Sequence, residues 1–249
     1  MMNTILKSVV LVAAVCAVPL AGVAAAGPLR APEVKITRTP GRVLLEVADD
    51  FVTVRKDIRA DASVATITTK RDELTMAVKR GVLTVSSPGG SMVLGKDGAA
   101  AHDRLLVVLQ GSEAAVRGRA LLARVEEGPE TFAGQSLLLT RALLEFGTGS
   151  KGALTQHKKW VAERATRATI VPASIGRTLI SWQKMGPGDC WDMYSKEAIR
   201  IAEDFEQCTE GLRWYEAHLW AGCSVIYAVR AEGAMAWFIA CNGGVPFNG

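Results

Sequence analysis

Residues 189–208 read DCWDMYSKEAIRIAEDFEQC, with Cys190 and Cys208 eighteen positions apart, and the same interval separates Cys223 from Cys241. An α-helix turns about 100° per residue, so eighteen residues close about five whole turns and span roughly 27 Å. Each cysteine pair therefore falls on one face of one helix. Helix signals agree. Pro187 and Gly188 precede Asp189, an N-cap, Asp192 puts a carboxylate at the positive end of the dipole, and Gly211 is placed to end the helix. Trp191, Tyr194, Ala198, Ile201, Phe205 and Cys208 form an apolar stripe at helical spacing, with Lys196, Arg200, Glu203 and Gln207 opposite.

The second segment, 219–241, places Leu219, Cys223, Tyr227, Ala231, Ala234, Phe238 and Cys241 on one face and carries only Arg230 and Glu232 as charges. A helix apolar nearly all round belongs at the centre of a core. The rival reading, a membrane span, is opposed by two charges at mid-length, each costly in hydrocarbon.

Four cysteines allow three connectivities. Pairing within a helix fails, because a disulfide needs Cα atoms about 4.4–6.8 Å apart. The crossed pairing demands parallel helices, and the fourteen residues between Cys208 and Cys223 cannot return along so long a helix. The nested pairing, Cys190–Cys241 and Cys208–Cys223, puts two equal intervals in register in an antiparallel hairpin. In that register Arg230 lies near Ile201 with Glu197 and Asp204 beside it, so a structural ion pair to one of these carboxylates is expected, and Glu232 has Arg200 within range. The arrangement resembles the twin CX9C helical hairpins of mitochondrial proteins, with a much longer interval; no function is carried over.

The first 26 residues have the form of an export signal. Lys7 is followed by the apolar run SVVLVAAVCAV, then by small residues ending at Ala26. Export agrees with disulfides, which a reducing cytosol would not maintain. The expected location is periplasmic or secreted, with membrane contact only through an uncleaved signal.

Within a β-rich region at 27–110, residues 34–95 read as strands. In ELTMAVK (73–79) Leu74, Met76 and Val78 alternate with polar neighbours. VKITR, RVLLEVA, FVTVRK, SVATITT, VLTVSS and SMVLG are the other candidates, with Asp49 and Asp50 forming a turn, and short turns between them predict an antiparallel meander. From 111 the period becomes helical. Ser112 is a predicted N-cap, with Ala115, Val116, Leu121, Leu122 and Val125 facing inward. GQSLLLTRALLEFG predicts a second helix ended by Gly147. KGALTQHKKWVAERA predicts a third, capped by Ser150, with Leu154, Val161 and Ala165 inward. The expected class is α+β: an N-terminal β-meander (27–110), a helical middle segment (111–185) and a stapled helical hairpin (186–249).

Charge divides along the chain. Residues 27–185 carry 24 basic and 16 acidic side chains, net +8, and residues 186–249 carry 4 and 9, net −5. The basic residues alternate with acids and no aromatic-rich basic stripe occurs, which argues against a nucleic-acid partner. All six Trp and all three Tyr lie at or beyond Trp160. The first half must therefore build its core from aliphatic residues. Trp191, Trp214, Trp220 and Trp237 are expected to pack rather than to cage a ligand.

No catalytic, cofactor or metal constellation is legible. His102, His157 and His218 stand alone in sequence, and the four cysteines lack zinc or redox spacing. The expectation is an exported, non-enzymatic binding or interaction protein whose partner is a protein or another envelope component. The alternative is a hydrolase-like envelope enzyme with a carboxylate site, for which Asp189, Asp192 and Glu197 near Trp191 are the first residues to inspect. A concavity holding titratable groups in mutual reach would favour the enzyme, and an apolar patch of several hundred Å² the binder.

Overall fold

The period-two pattern becomes a seven-stranded antiparallel sheet in sequential order: β1 (Val34–Thr39), β2 (Arg42–Ala48), β3 (Val52–Arg59), β4 (Ala62–Thr69), β5 (Glu73–Lys79), β6 (Val82–Ser87) and β7 (Gly90–Leu94). The computed structural model describes residues 32–94, 102–126, 128, 131–148, 150–168, 187–212 and 217–241. The export signal expected at 1–26 lies outside the described residues. Arg80 and Gly81 both adopt positive φ at the β5–β6 turn, the backbone form whose twist suits a two-residue hairpin.

One face of the sheet is sealed. Val43, Leu45, Val47, Val54, Ile58, Ile67, Leu74, Met76, Val78, Leu83 and Val85 alternate onto it and are buried. Two helices lie against these strands: α2 (Glu113–Leu122) and α6 (Ala217–Cys241). Further out, α3 (Phe132–Glu145) packs on α2 and α6, and α4 (Gly152–Ala168) sits between α3 and α5 (Pro187–Thr209). The architecture is α+β, with the helices confined to one side of the sheet.

Among the described residues the last strand ends at Leu94. Residues 102–111, expected at the end of the β-rich region, form a further helix, α1 (His102–Gly111), because Leu105, Val108 and Leu109 recur at helical spacing and turn inward. Ser112 caps α2 by accepting from the Ala115 N–H at 3.1 Å. Ala114 rather than Val116 turns inward on that helix, and Val116 is exposed. Both ends of α2 are tied to one end of the sheet. Asp72, in the β4–β5 turn, accepts from the Ser112 hydroxyl at 2.6 Å and the Ala114 N–H at 3.0 Å. Asp49, in the β2–β3 turn, pairs with Arg124. Between these ties Gly118 rides on the sheet, where a Cβ would come within 2.7 Å of Ile67.

The third helix starts differently from the sequence expectation. The Ala153 N–H donates to Glu145 Oε2 at 2.8 Å, so a buried carboxylate from the preceding helix, not Ser150, meets the N-terminal donors of α4.

In the hairpin, α5 and α6 run antiparallel with disulfides Cys190–Cys241 and Cys208–Cys223, at Cα separations of 5.9 and 6.0 Å. In the chain-entropy account a loop of 51 residues contributes about 4 kcal/mol and one of 15 about 3, not fully additive. Residues 222–241 of α6 have a mean hydropathy of 1.2, enough by length and composition to cross a membrane, yet most of this stretch is buried against the sheet and α5. Phe238, Met235 and Ile239 are fully enclosed, which is the environment an all-round apolar helix requires.

Candidate functional site

Charged and polar side chains gather in two places, one inside the molecule and one on its surface. The inner one begins on β3. Strand alternation puts Lys56 on the same face as Val54 and Ile58, so a lysine enters the core at 1% exposure. Its Nζ donates to Glu232 Oε1 at 2.5 Å and to the Ser136 carbonyl at 2.6 Å. The Ser63 hydroxyl, from β4, donates to Glu232 Oε2 at 2.9 Å. Burial lowers the Lys56 pKa and the Glu232 carboxylate opposes that shift. One ion pair thus joins the sheet, α3 and the stapled hairpin. Glu232 does not reach toward Arg200. It faces the sheet, and the buried lysine there is the partner that its desolvation demands.

Around this pair runs a wider buried seam. The Tyr194 hydroxyl donates to Gln135 Oε1 at 2.5 Å, and His157 Nδ1 is hydrogen-bonded to the Tyr227 hydroxyl at 2.6 Å. Gln135 Nε2, Ser136 Oγ and His157 Nε2 find no hydrogen-bond partner among the described residues. Burial depresses the His157 pKa from 6.5 to about 4, so this imidazole is neutral in ordinary buffers. Burial, with help from Tyr227 and Glu232, lifts the Tyr194 hydroxyl well above its ordinary value. A lysine, a serine and a glutamate side by side resemble hydrolytic machinery, but each is at most 3% exposed and bonded to another. The seam fastens layers together.

The carboxylates offered by the sequence for an enzyme site do not assemble among the described residues. Asp192 is exposed and 3.4 Å from Lys196. Glu197 is held by Arg200, at 2.9 Å from its Nε and 2.6 Å from its Nη2. The side chains of Asp189, Trp191, His102 and His218 lie outside the described ones, and Trp214 lies outside the described residues altogether. Arg230 pairs with Asp204 at 2.6 Å. Trp220 packs against Phe205 with ring centroids 5.7 Å apart, and Lys151 Nζ sits over its ring at 3.9 Å from the centroid. Among the described residues no three His, Cys, Asp or Glu groups come together as metal ligands.

The second gathering lies on the open face of the sheet. Outward residues of β2 to β5 line a trough of about 820 Å³, with Thr53, Thr66, Thr68, Ala62 and Val64 among charged neighbours. Toward one end of it Asp57 is saturated. Arg42 donates through Nε at 2.7 Å and Nη2 at 2.8 Å, and Arg59 through Nη2 at 2.8 Å and Nε at 3.2 Å. Burial raises the Asp57 pKa, but the bonds and charges of the two guanidinia outweigh it and hold the carboxyl below its ordinary value. Hydrogen bonding to Asp57 likewise raises the Arg59 pKa. Lys79 and Asp61 form a looser pair at 3.3 Å.

A scan against protein-family models and searches of curated proteins and solved structures found no match to this chain. Lys56 could have been found in the sequence, since FVTVRK places it in phase with two valines; the partnership with Glu232, 176 positions away, could not.

Proposed function

We propose that this chain is an exported, non-catalytic binding protein of the cell envelope or exterior, whose open sheet face receives a segment of a partner polypeptide. The observation that carries the reading is the trough: a wide concavity whose arginines and carboxylate are fixed in place by bonds to one another. Preorganised side chains lower the ordering cost of recognition. A carboxylate kept ionised by two guanidinia suits charge recognition rather than proton transfer, which needs a pKa near the working pH. Two disulfides are the mark of an oxidising, extracellular compartment, which supports export to the periplasm or beyond.

Selection from a displayed library of eight-residue peptides tests the reading. Thr66 is outward-facing in the trough, and Thr66→Trp fills it with a strand-compatible residue without touching the core. Selected peptides should bind the native protein at least tenfold more tightly than Thr66→Trp. Enrichment that is indifferent to Thr66→Trp, or no enrichment at all, contradicts the proposal.

A further inference from the structure

The two ends of the trough differ in charge, and the difference follows from which turns fall at each end. Register places Arg42, Arg59, Ala62 and Lys79 side by side across β2, β3, β4 and β5. The turns at this end add Arg80 and Asp61. With Asp57, the end holds four basic side chains, Arg42, Arg59, Lys79 and Arg80, against two acidic ones, Asp57 and Asp61. At the far end, about 20 Å along the strands, register brings Thr53, Thr68 and Glu73 together. Asp49 and Asp72 turn inward to Arg124 and the start of α2, and Asp50 and Glu73 balance Lys70 and Arg71, so no cationic surplus exists at that end. Between the two, Glu46 and Arg55 face one another across β2 and β3 and cancel.

We infer that the basic end takes carboxylates, so that the partner segment is an extended polypeptide stretch with acidic residues clustered at one end and uncharged polar residues along the rest. This rests on the trough being a recognition surface. Asp57 takes four N–H donors and so holds Arg42 and Arg59 in fixed orientation. One carboxylate cannot neutralise two guanidinia, and each still has N–H groups turned away from Asp57. Arg59 is 57% exposed and Lys79 60%, so both remain reachable from solvent. A carboxylate laid against such a prearranged fork forms charge-assisted bonds without first ordering long side chains. Threonines along the remaining floor, at 53, 66 and 68, supply hydroxyls to a polar stretch but no site for a second cluster of charge.

Fluorescence anisotropy with labelled acetyl-DEDTTTTT-amide tests this, using the amide analogue acetyl-NQNTTTTT-amide as comparison. The acidic peptide should bind the full chain at least tenfold more tightly than its analogue. Arg59→Gln and Lys79→Gln should each weaken it about fivefold, whereas Lys196→Gln, the same charge change on exposed α5, should leave it unaltered. Thr66→Trp should weaken it too. Equal binding of both peptides, lost in Thr66→Trp, overturns the acidic preference while leaving the trough as a recognition surface. Acid-selective binding indifferent to Thr66→Trp, or reduced as much by Lys196→Gln as by Arg59→Gln, reduces it to diffuse surface charge and overturns it. Absence of binding by either peptide overturns it as well, and the displayed library then decides separately whether the trough binds anything.

Discussion

At the scale of single residues the molecule turns on a lysine where a valine would be expected. Lys56 is desolvated and survives because Glu232 meets it, so the pair contributes little over an apolar pair but is costly to break. Lys56→Met and Glu232→Gln are each expected to destabilise by about 3–5 kcal/mol in urea unfolding. The double change Lys56→Met with Glu232→Leu should recover most of that loss, and singles costing under about 1 kcal/mol would count against the pairing. His157 offers a pH-dependent counterpart. Its folded pKa, about 4, lies below its unfolded value of 6.5, so the folded state binds fewer protons. The stability contribution is intact above pH 6.5 and is lost as pH falls toward 4, by about 3 kcal/mol in all. His157→Gln should flatten the profile in that window; an unchanged slope between pH 6.5 and 4 would contradict the assignment.

At the scale of elements, two kinds of information met with different success. Periodicity made the strands legible, because alternation is local: ELTMAVK announces its buried face within seven residues. The spacing of the cysteines made the hairpin legible, since five whole turns repeated twice leave one connectivity that geometry permits. Capping was read less well where the partner is distant. Ser112 caps α2 from within its own segment, but α4 is capped by Glu145, whose side chain returns across a turn. A close backbone approach also fixes the start of α3. At Gly134 a Cβ would stand 1.9 Å from the Gly128 carbonyl oxygen, which is backbone and cannot rotate aside. Helix propensity alone favours alanine there by about 1 kcal/mol. Overpacking should reverse the sign, so Gly134→Ala is expected to cost about 2 kcal/mol or more, read as a lower Tm; a raised Tm would show that the loop yields freely.

At the scale of the whole chain, the layers explain why recognition falls to the outer face. The inner face is closed by α2 and α6, and α6 is fixed on both sides: by sulfur to α5 and by the Lys56–Glu232 pair to the sheet. The trough was not legible in the sequence. Arg42, Asp57 and Arg59 look like ordinary solvated strand residues until register sets them side by side. The way α6 is held between α5 and the sheet depends on the hairpin being oxidised and nested. Trypsin cuts so that each of the four cysteines falls in its own peptide: 185–196, 201–213, 214–230 and 231–249. Mass spectrometry of an unreduced digest should recover 185–196 joined to 231–249 and 201–213 joined to 214–230. Recovery of 185–196 joined to 201–213, or of four free thiols in protein collected from outside the cytoplasm, would contradict it.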